Sequence, residues 1–282
     1  MTDGERTGIS RRTVLRASGT AAAVPVLGTN RASADETAAP APSPALPGDC
    51  PDATVEPSMT HCEGTTMEGC ADDHPATTEL QSAVRETLAE TYPTVGALLD
   101  AGFKPYFDTL DVTEENGYAH WLSPEFIGDE TVLDPERPES VLVDTRSWRA
   151  IGVMFIATRN GEAVEPMAVY DSSEGRCSPW HAHTGLPGRF AWWYYRHVYE
   201  GTDDIEFSLP CRTPCMLHVW AVDHPEGVYA HDAPPASARD RESAADAGFE
   251  TDADPGADEL GWEVLPDAVT PDRLPDEIPL LN

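Results

Sequence analysis

From Thr78 onward the apolar positions follow two successive rhythms. Leu80, Val84, Leu88 and Tyr92 recur at helical spacing behind Thr78-Glu79-Leu80-Gln81, which has the form of a capping box. Pro93 ends or kinks that helix, and a shorter helix over Thr94–Ala101 stops at Gly102, a residue type favoured just past a helix end. The period then drops to two. Gly117–Leu122 alternates, Ser140–Asp144 is a short strand, and Arg149–Thr158 is apolar on both faces, as expected mid-sheet where both sides are covered. Asn160-Gly161 is a hairpin signal that returns the chain through Ala163–Tyr170. Trp180–His183, Phe190–Tyr199, Ile205–Leu209 and Cys215–Val222 complete the predicted strands. The pattern predicts an α+β, mainly β fold: a small double-sheet β-domain, sandwich- or jelly-roll-like, with the N-terminal helices packed on one side.

Outside this block the periodicity fades. Ser10-Arg11-Arg12-Thr13-Val14-Leu15, a small-residue apolar run from Ala17 to Gly28 and Ala32-Ser33-Ala34 together match a twin-arginine export signal with its cleavage site. Residues 35–75 begin as an Ala/Pro-rich linker and continue as a polar loop carrying Met59, His61, Cys62, Met67, Cys70 and His74. The predicted organisation is a signal peptide over 1–34, linker and loop over 35–75, a helix-plus-β domain over 76–235 and an acidic extended tail over 236–282. The tail's apolar clusters, Trp262–Leu265 and Ile278–Leu281, suit docking back onto the domain. The twin-arginine export machinery is the expected partner, and the location extracytoplasmic, soluble or associated with the cell surface. No stretch is long enough for a transmembrane span.

Charge then narrows the partners. The formal charge is −32, from 50 acidic against 18 basic residues, and Lys104 is the only lysine. Residues 1–34 hold five arginines against two acids, so their removal leaves the rest more acidic still. Such a surface suits molar salt, as in halophilic proteins, where the screening length falls to roughly 3 Å. A nucleic-acid partner is excluded, because no basic face exists to displace counterions.

Six cysteines, Cys50, Cys62, Cys70, Cys177, Cys211 and Cys215, form an even set that favours disulfides in an exported chain, although the connectivity stays open. Cys211 and Cys215 with His218 fall one residue short of a two-copper spacing and lack its downstream methionine, so a disulfide at the strand entrance is the better reading.

The candidate chemistry lies in Trp180-His181-Ala182-His183 and Met216-Leu217-His218-Val219-Trp220. On a strand, His181 and His183 share a face, and two neutral imidazoles there are half of a metal site. His218 and His120 are the expected further ligands, with Glu139, Trp180 and Trp220 as supporting neighbours. The ion would be a divalent transition metal, Zn, Cu, Fe or Mn. His224 is expected in a turn, and His231 and His197 at the surface. Gly-x-Ser-x-Gly, His-Glu-x-x-His and phosphate-binding glycine loops are absent, which removes the common hydrolase, zincin and nucleotide classes.

Gly117-Tyr118-Ala119-His120, Asp134-Pro135-Glu136-Arg137-Pro138-Glu139, Trp180-His181-Ala182-His183 and Leu217-His218-Val219-Trp220, in this order, carry a resemblance. Over about 75–235 the chain resembles an uncharacterised family of exported β-rich proteins; this implies which residues act together and no substrate. It is similar to cupin-like proteins only in presenting His-x-His and a distant histidine on strands, and Thr184–Gly188 lacks the carboxylate that the cupin pattern carries. The leading functional reading is a secreted metal-binding β-domain with a histidine-rich site, its small-molecule substrate and any reaction left open. The alternatives are a disulfide-stabilised cell-surface interaction module without metal, and a copper-handling protein using segment 59–74.

Overall fold

Ala150–Ile156, within the run that is apolar on both faces, is the middle strand of a seven-stranded antiparallel sheet. The computed structural model describes residues 50–108, 117–173, 175–199, 208–239 and 242–278. The expected export signal, the linker over 35–49, Ile205–Phe207 of one expected strand and residues 279–281 of the last apolar cluster lie outside the described residues. In chain order the elements are β1 (Met59–His61), α1 (Pro75–Glu90), α2 (Val95–Asp100), β2 (Lys104–Tyr106), β3 (Tyr118–Leu122), α3 (Pro124–Ile127), β4 (Ser140–Asp144) and β5 (Ala150–Ile156). They continue with β6 (Thr158–Arg159), β7 (Glu162–Ala163), β8 (Tyr170–Ser172), β9 (Gly175–Cys177), β10 (His181–His183), α4 (Leu186–Tyr194), β11 (Met216–Trp220) and α5 (Ala236–Arg239). The large sheet runs β1-β10-β11-β5-β4-β3-β2, and β6–β7 and β8–β9 are separate two-stranded pairs. The fold is thus α+β and mainly β.

Alternation along the strands gives the sheet two apolar faces. Val141, Val143, Val153, Phe155, Leu217 and Val219 point to one side, where they meet Val84 and Leu88 of α1 and Val95 and Leu98 of α2. Leu142, Met154, Ile156, Met216 and Trp220 point to the other and meet Phe190, Trp193 and Tyr194 of α4. Both faces of β5 are therefore packed against other elements, as its two-sided apolar character requires.

Three local expectations are corrected. Phe190–Tyr199 is not a strand: Leu186–Tyr194 is α-helical and Tyr195–Tyr199 continues as a π-helical turn. Its aromatics favour strands by propensity, but Pro187 opens a helix without loss of a hydrogen bond, and helical spacing lets Phe190 stack with Trp193 against the sheet. The sheet is consequently faced by helices on both sides. Second, α1 starts at Pro75 rather than behind Thr78. His74 is its cap, its Nδ1 accepting from the Ala76 amide at 3.2 Å, and Pro75 fits the first turn. Third, Ala163–Tyr170 holds only the end of β7 and the start of β8. The turn itself is as read: Asn160 and Gly161 have φ of 51° and 78°, the left-handed pair that a tight hairpin needs, between β6 and β7.

All six cysteines pair, as Cys50–Cys211, Cys62–Cys215 and Cys70–Cys177. Each bond ties the segment before α1 to the neighbourhood of β9, β10 or β11. Beyond Ala236 the chain is mostly irregular and lies against the domain, with Leu260 and Leu265 buried, Trp148 Nε1 donating to the Asp258 carbonyl and the Leu260 amide donating to Thr145.

Candidate metal centre

β10 lies between β1 and β11. His61 stands opposite His181, Met59 opposite His183, and Met216 opposite His181 on the other flank. The next pairing sets His218 opposite Met154 of β5. Paired residues of antiparallel strands project to the same face, so these histidines and methionines share one side of the sheet. His120 of β3 is also on that side. Three inter-strand steps, about 14 Å in a flat sheet, separate β3 from β11, yet the rings of His120 and His218 are only 6.1 Å apart. The sheet therefore curls around its histidine face.

His181, His183 and His231 each offer one ring nitrogen, and the three nitrogens lie within 4.8 Å of one another, the only such group among the described residues. Ring centroids are 5.3 Å apart for His181 and His183, 4.6 Å for His181 and His231, and 5.2 Å for His183 and His231. His218 adjoins them, 5.4 Å from His181 and 5.9 Å from His231. The third convergent imidazole is thus His231, expected at the surface, while His218 stands just outside the trio and His120 behind His218. The register explains the difference: β10 meets β11 at His181 and Met216, so His218 is two residues further along its strand.

His231 reaches the site from the loop after β11. The Trp220 amide donates to the Val228 carbonyl and Trp220 Nε1 to the Ala230 carbonyl at 2.8 Å. Asp72 accepts from the Val228 amide at 3.0 Å, and Arg239 clamps the far end, bonding Gly117 and Pro234 carbonyls and the buried Asp144 carboxylate. No period marks a loop histidine. The one sequence hint is the short apolar run Val228-Tyr229-Ala230 just before it.

The protonation pattern is specific. His218 Nδ1 donates to the His231 carbonyl at 2.9 Å, since a carbonyl can only accept. His231 Nδ1 faces Asp232 Oδ1 at 2.9 Å. In these two rings and in that of His181, Nε2 is buried with no hydrogen-bond partner among the described residues. A buried lone pair without a partner is costly, and a second nitrogen fixed by a carbonyl or carboxylate is the usual arrangement of metal-binding imidazoles. Burial first, and neighbouring imidazoles second, push His183 down to about 3 and His120 to about 4, and hold His181 and His218 well below the usual range. These four rings are neutral at neutral pH, the form that binds metal.

The site opens into a cleft of about 1960 Å³, lined by His120, His183, His218 and His231 together with Met59 and Trp192. Gly188 in the first turn of α4 permits the close approach of His183, because a Cβ there would collide with the His183 ring. Of the expected supporting residues, Trp220 is in place, its ring 5.4 Å from His218. Trp180 is on the opposite face, bonding the Met167 carbonyl, as alternation from His181 dictates. Glu139 accepts from the Ile156 amide and has no bond to a histidine among the described residues. Segment 59–74 does not gather its own donors: Cys62 and Cys70 are in disulfides, His74 caps α1 and stacks on Tyr170, and only Met59 and His61 join the histidine face.

No family model, curated protein or solved structure matches the chain.

Proposed function

We propose that the protein binds one transition-metal ion through His181, His183 and His231, with His218 as fourth ligand and His120 facing the same cleft. The observation that carries this is the set of buried, unpartnered Nε2 atoms on His181, His218 and His231, with the other ring nitrogen already engaged in His218 and His231. Metal-bound nitrogens about 2.0–2.1 Å from one ion lie roughly 3–4 Å apart, a distance that small ring rotations reach from the present spacing. Imidazole donors suit Zn, Cu and Fe. The resemblance to exported β-rich proteins, the twin-arginine signal and three disulfides support action outside the cytoplasm, and no helix among the described residues is long and apolar enough to cross a membrane. Should the ion act on a substrate, the cleft would deliver it to a Lewis acid or a metal hydroxide.

The test is metal analysis of the exported protein beside His181→Ala and His231→Ala. We expect one equivalent of metal in the wild type and less than a tenth of that in each variant, since losing a direct ligand should cost at least the roughly 10–100-fold in affinity that losing a ligand's hydrogen-bond partner costs. Wild-type protein that takes up neither Zn(II) nor copper would overturn the proposal. It would leave the alternative of a disulfide-braced interaction module, whose melting temperature a chelator does not change.

A further inference from the structure

Three of the six methionines in the chain, Met59, Met154 and Met216, are the direct cross-strand partners of His183, His218 and His181. All three line the same cleft as His183 and His218. Opposed residues on one face have Cβ atoms about 4.5–5.5 Å apart, so each thioether stands within reach of an ion held by its histidine. Methionine inside a core commonly serves as a gap filler, and Met154 and Met216, 3% and 5% exposed, fit that role too. Met59 does not. It is 41% exposed on the edge strand β1, where it fills no gap, and it stands at the cleft mouth opposite His183. Thioether sulfur is a soft donor that adds little for Zn, Mn or Fe(II) and much for Cu(I). The disulfides meanwhile remove every thiolate from competition.

Building on the histidine site proposed above, we infer that its ion is copper, taken up as Cu(I) by a mixed imidazole and thioether set, with Met59 the sulfur at the entrance and Met216 the sulfur beside His181. The cleft then grades from an exposed sulfur and a half-buried imidazole at the rim to a buried imidazole and sulfur inside.

The experiment uses the full exported chain, with disulfides intact, in molar sulfate because chloride competes for Cu(I). Cu(I), maintained by ascorbate, is titrated against bicinchoninate for the wild type, Met59→Leu and Met59→Leu/Met216→Leu; Zn(II) is titrated in parallel. Leucine keeps the volume and removes only the sulfur. We expect Cu(I) affinity to fall by about tenfold or more in the double variant and by a smaller factor in Met59→Leu, with Zn(II) affinity unchanged. X-ray absorption should show a Cu–S shell that weakens in the same order. Undiminished Cu(I) affinity in both variants, or no Cu–S shell in the wild type, would overturn the inference while Zn(II) binding left the histidine site standing. Wild-type protein that binds neither ion removes both. Should the double variant misfold by near-UV dichroism, Met59→Leu, altered only at an exposed position, carries the test alone.

Discussion

Glu139 holds a carboxyl group where water scarcely reaches: it is 1% exposed, and its Oε2 accepts from the Ile156 amide at 3.2 Å. Burial pushes this carboxyl up to about 8 from an ordinary 4.5, against the opposing pull of the backbone bonds. Between those two values the folded chain keeps a proton that the unfolded chain has released. The stabilisation is fully present below pH 4.5 and is lost as pH rises through 8. Glu139→Gln keeps the acceptor for Ile156 and cannot ionise, so its unfolding free energy should lose this decline. Urea unfolding at pH 5 and pH 8.5 in molar salt checks it, and equal slopes for wild type and variant would show that Glu139 does not titrate in this range. The residue was singled out in sequence as a neighbour of the metal ligands, and its burial points instead to a structural role at the β4–β5 pairing. A primary sequence shows that a carboxylate is present, not that strands close over it.

At the scale of elements, legibility followed period. β3 was visible because its positions alternate and β5 because its run is apolar on both faces, and the shared face of His181 and His183 followed from the two-residue period of a strand. α4 was hidden because Trp192, Trp193, Tyr194 and Tyr195 are strand-formers by propensity, and only packing against Met154 and Ile156 makes helical spacing the better solution. His231 was hidden for the opposite reason, since a loop has no period and its position depends on Asp72 and, through Arg239, on Gly117 and Asp144, all far away in sequence. Disulfide partners were equally out of reach, as Cys62 and Cys215 are 153 residues apart. That bond brackets β10: Cys62 follows β1, whose His61 opposes His181, and Cys215 precedes β11, whose Met216 opposes it from the other side. Cys62→Ser/Cys215→Ser should therefore lower stability by about 2–4 kcal/mol. It should also weaken metal uptake, because β1 and β11 no longer hold β10 between them. Calorimetric titration together with chemical denaturation separates the effects, and full metal affinity in a destabilised variant would show that hydrogen bonding alone sets the register of β10.

Over the whole molecule the decisive quantity is a formal charge of −32, from 50 acidic against 18 basic residues. Repulsion among these carboxylates grows as the screening length lengthens, from roughly 3 Å at 1 M salt to about 10 Å at 0.1 M. Folding brings the charges closer than the unfolded chain does, so the folded state bears more of the cost. The three disulfides act against this difference by keeping the unfolded chain compact, which raises its own repulsion and limits its entropy. Dilution from molar to about 0.1 M salt should then produce a cooperative loss of near-UV dichroism, reported by the fully buried Trp121, Trp148, Trp180, Trp193 and Trp220. Disulfide reduction should move the midpoint of that transition to higher salt. An unchanged spectrum at low salt in both the oxidised and the reduced protein would show that two apolar sheet faces outweigh the charge without help from screening or cross-links.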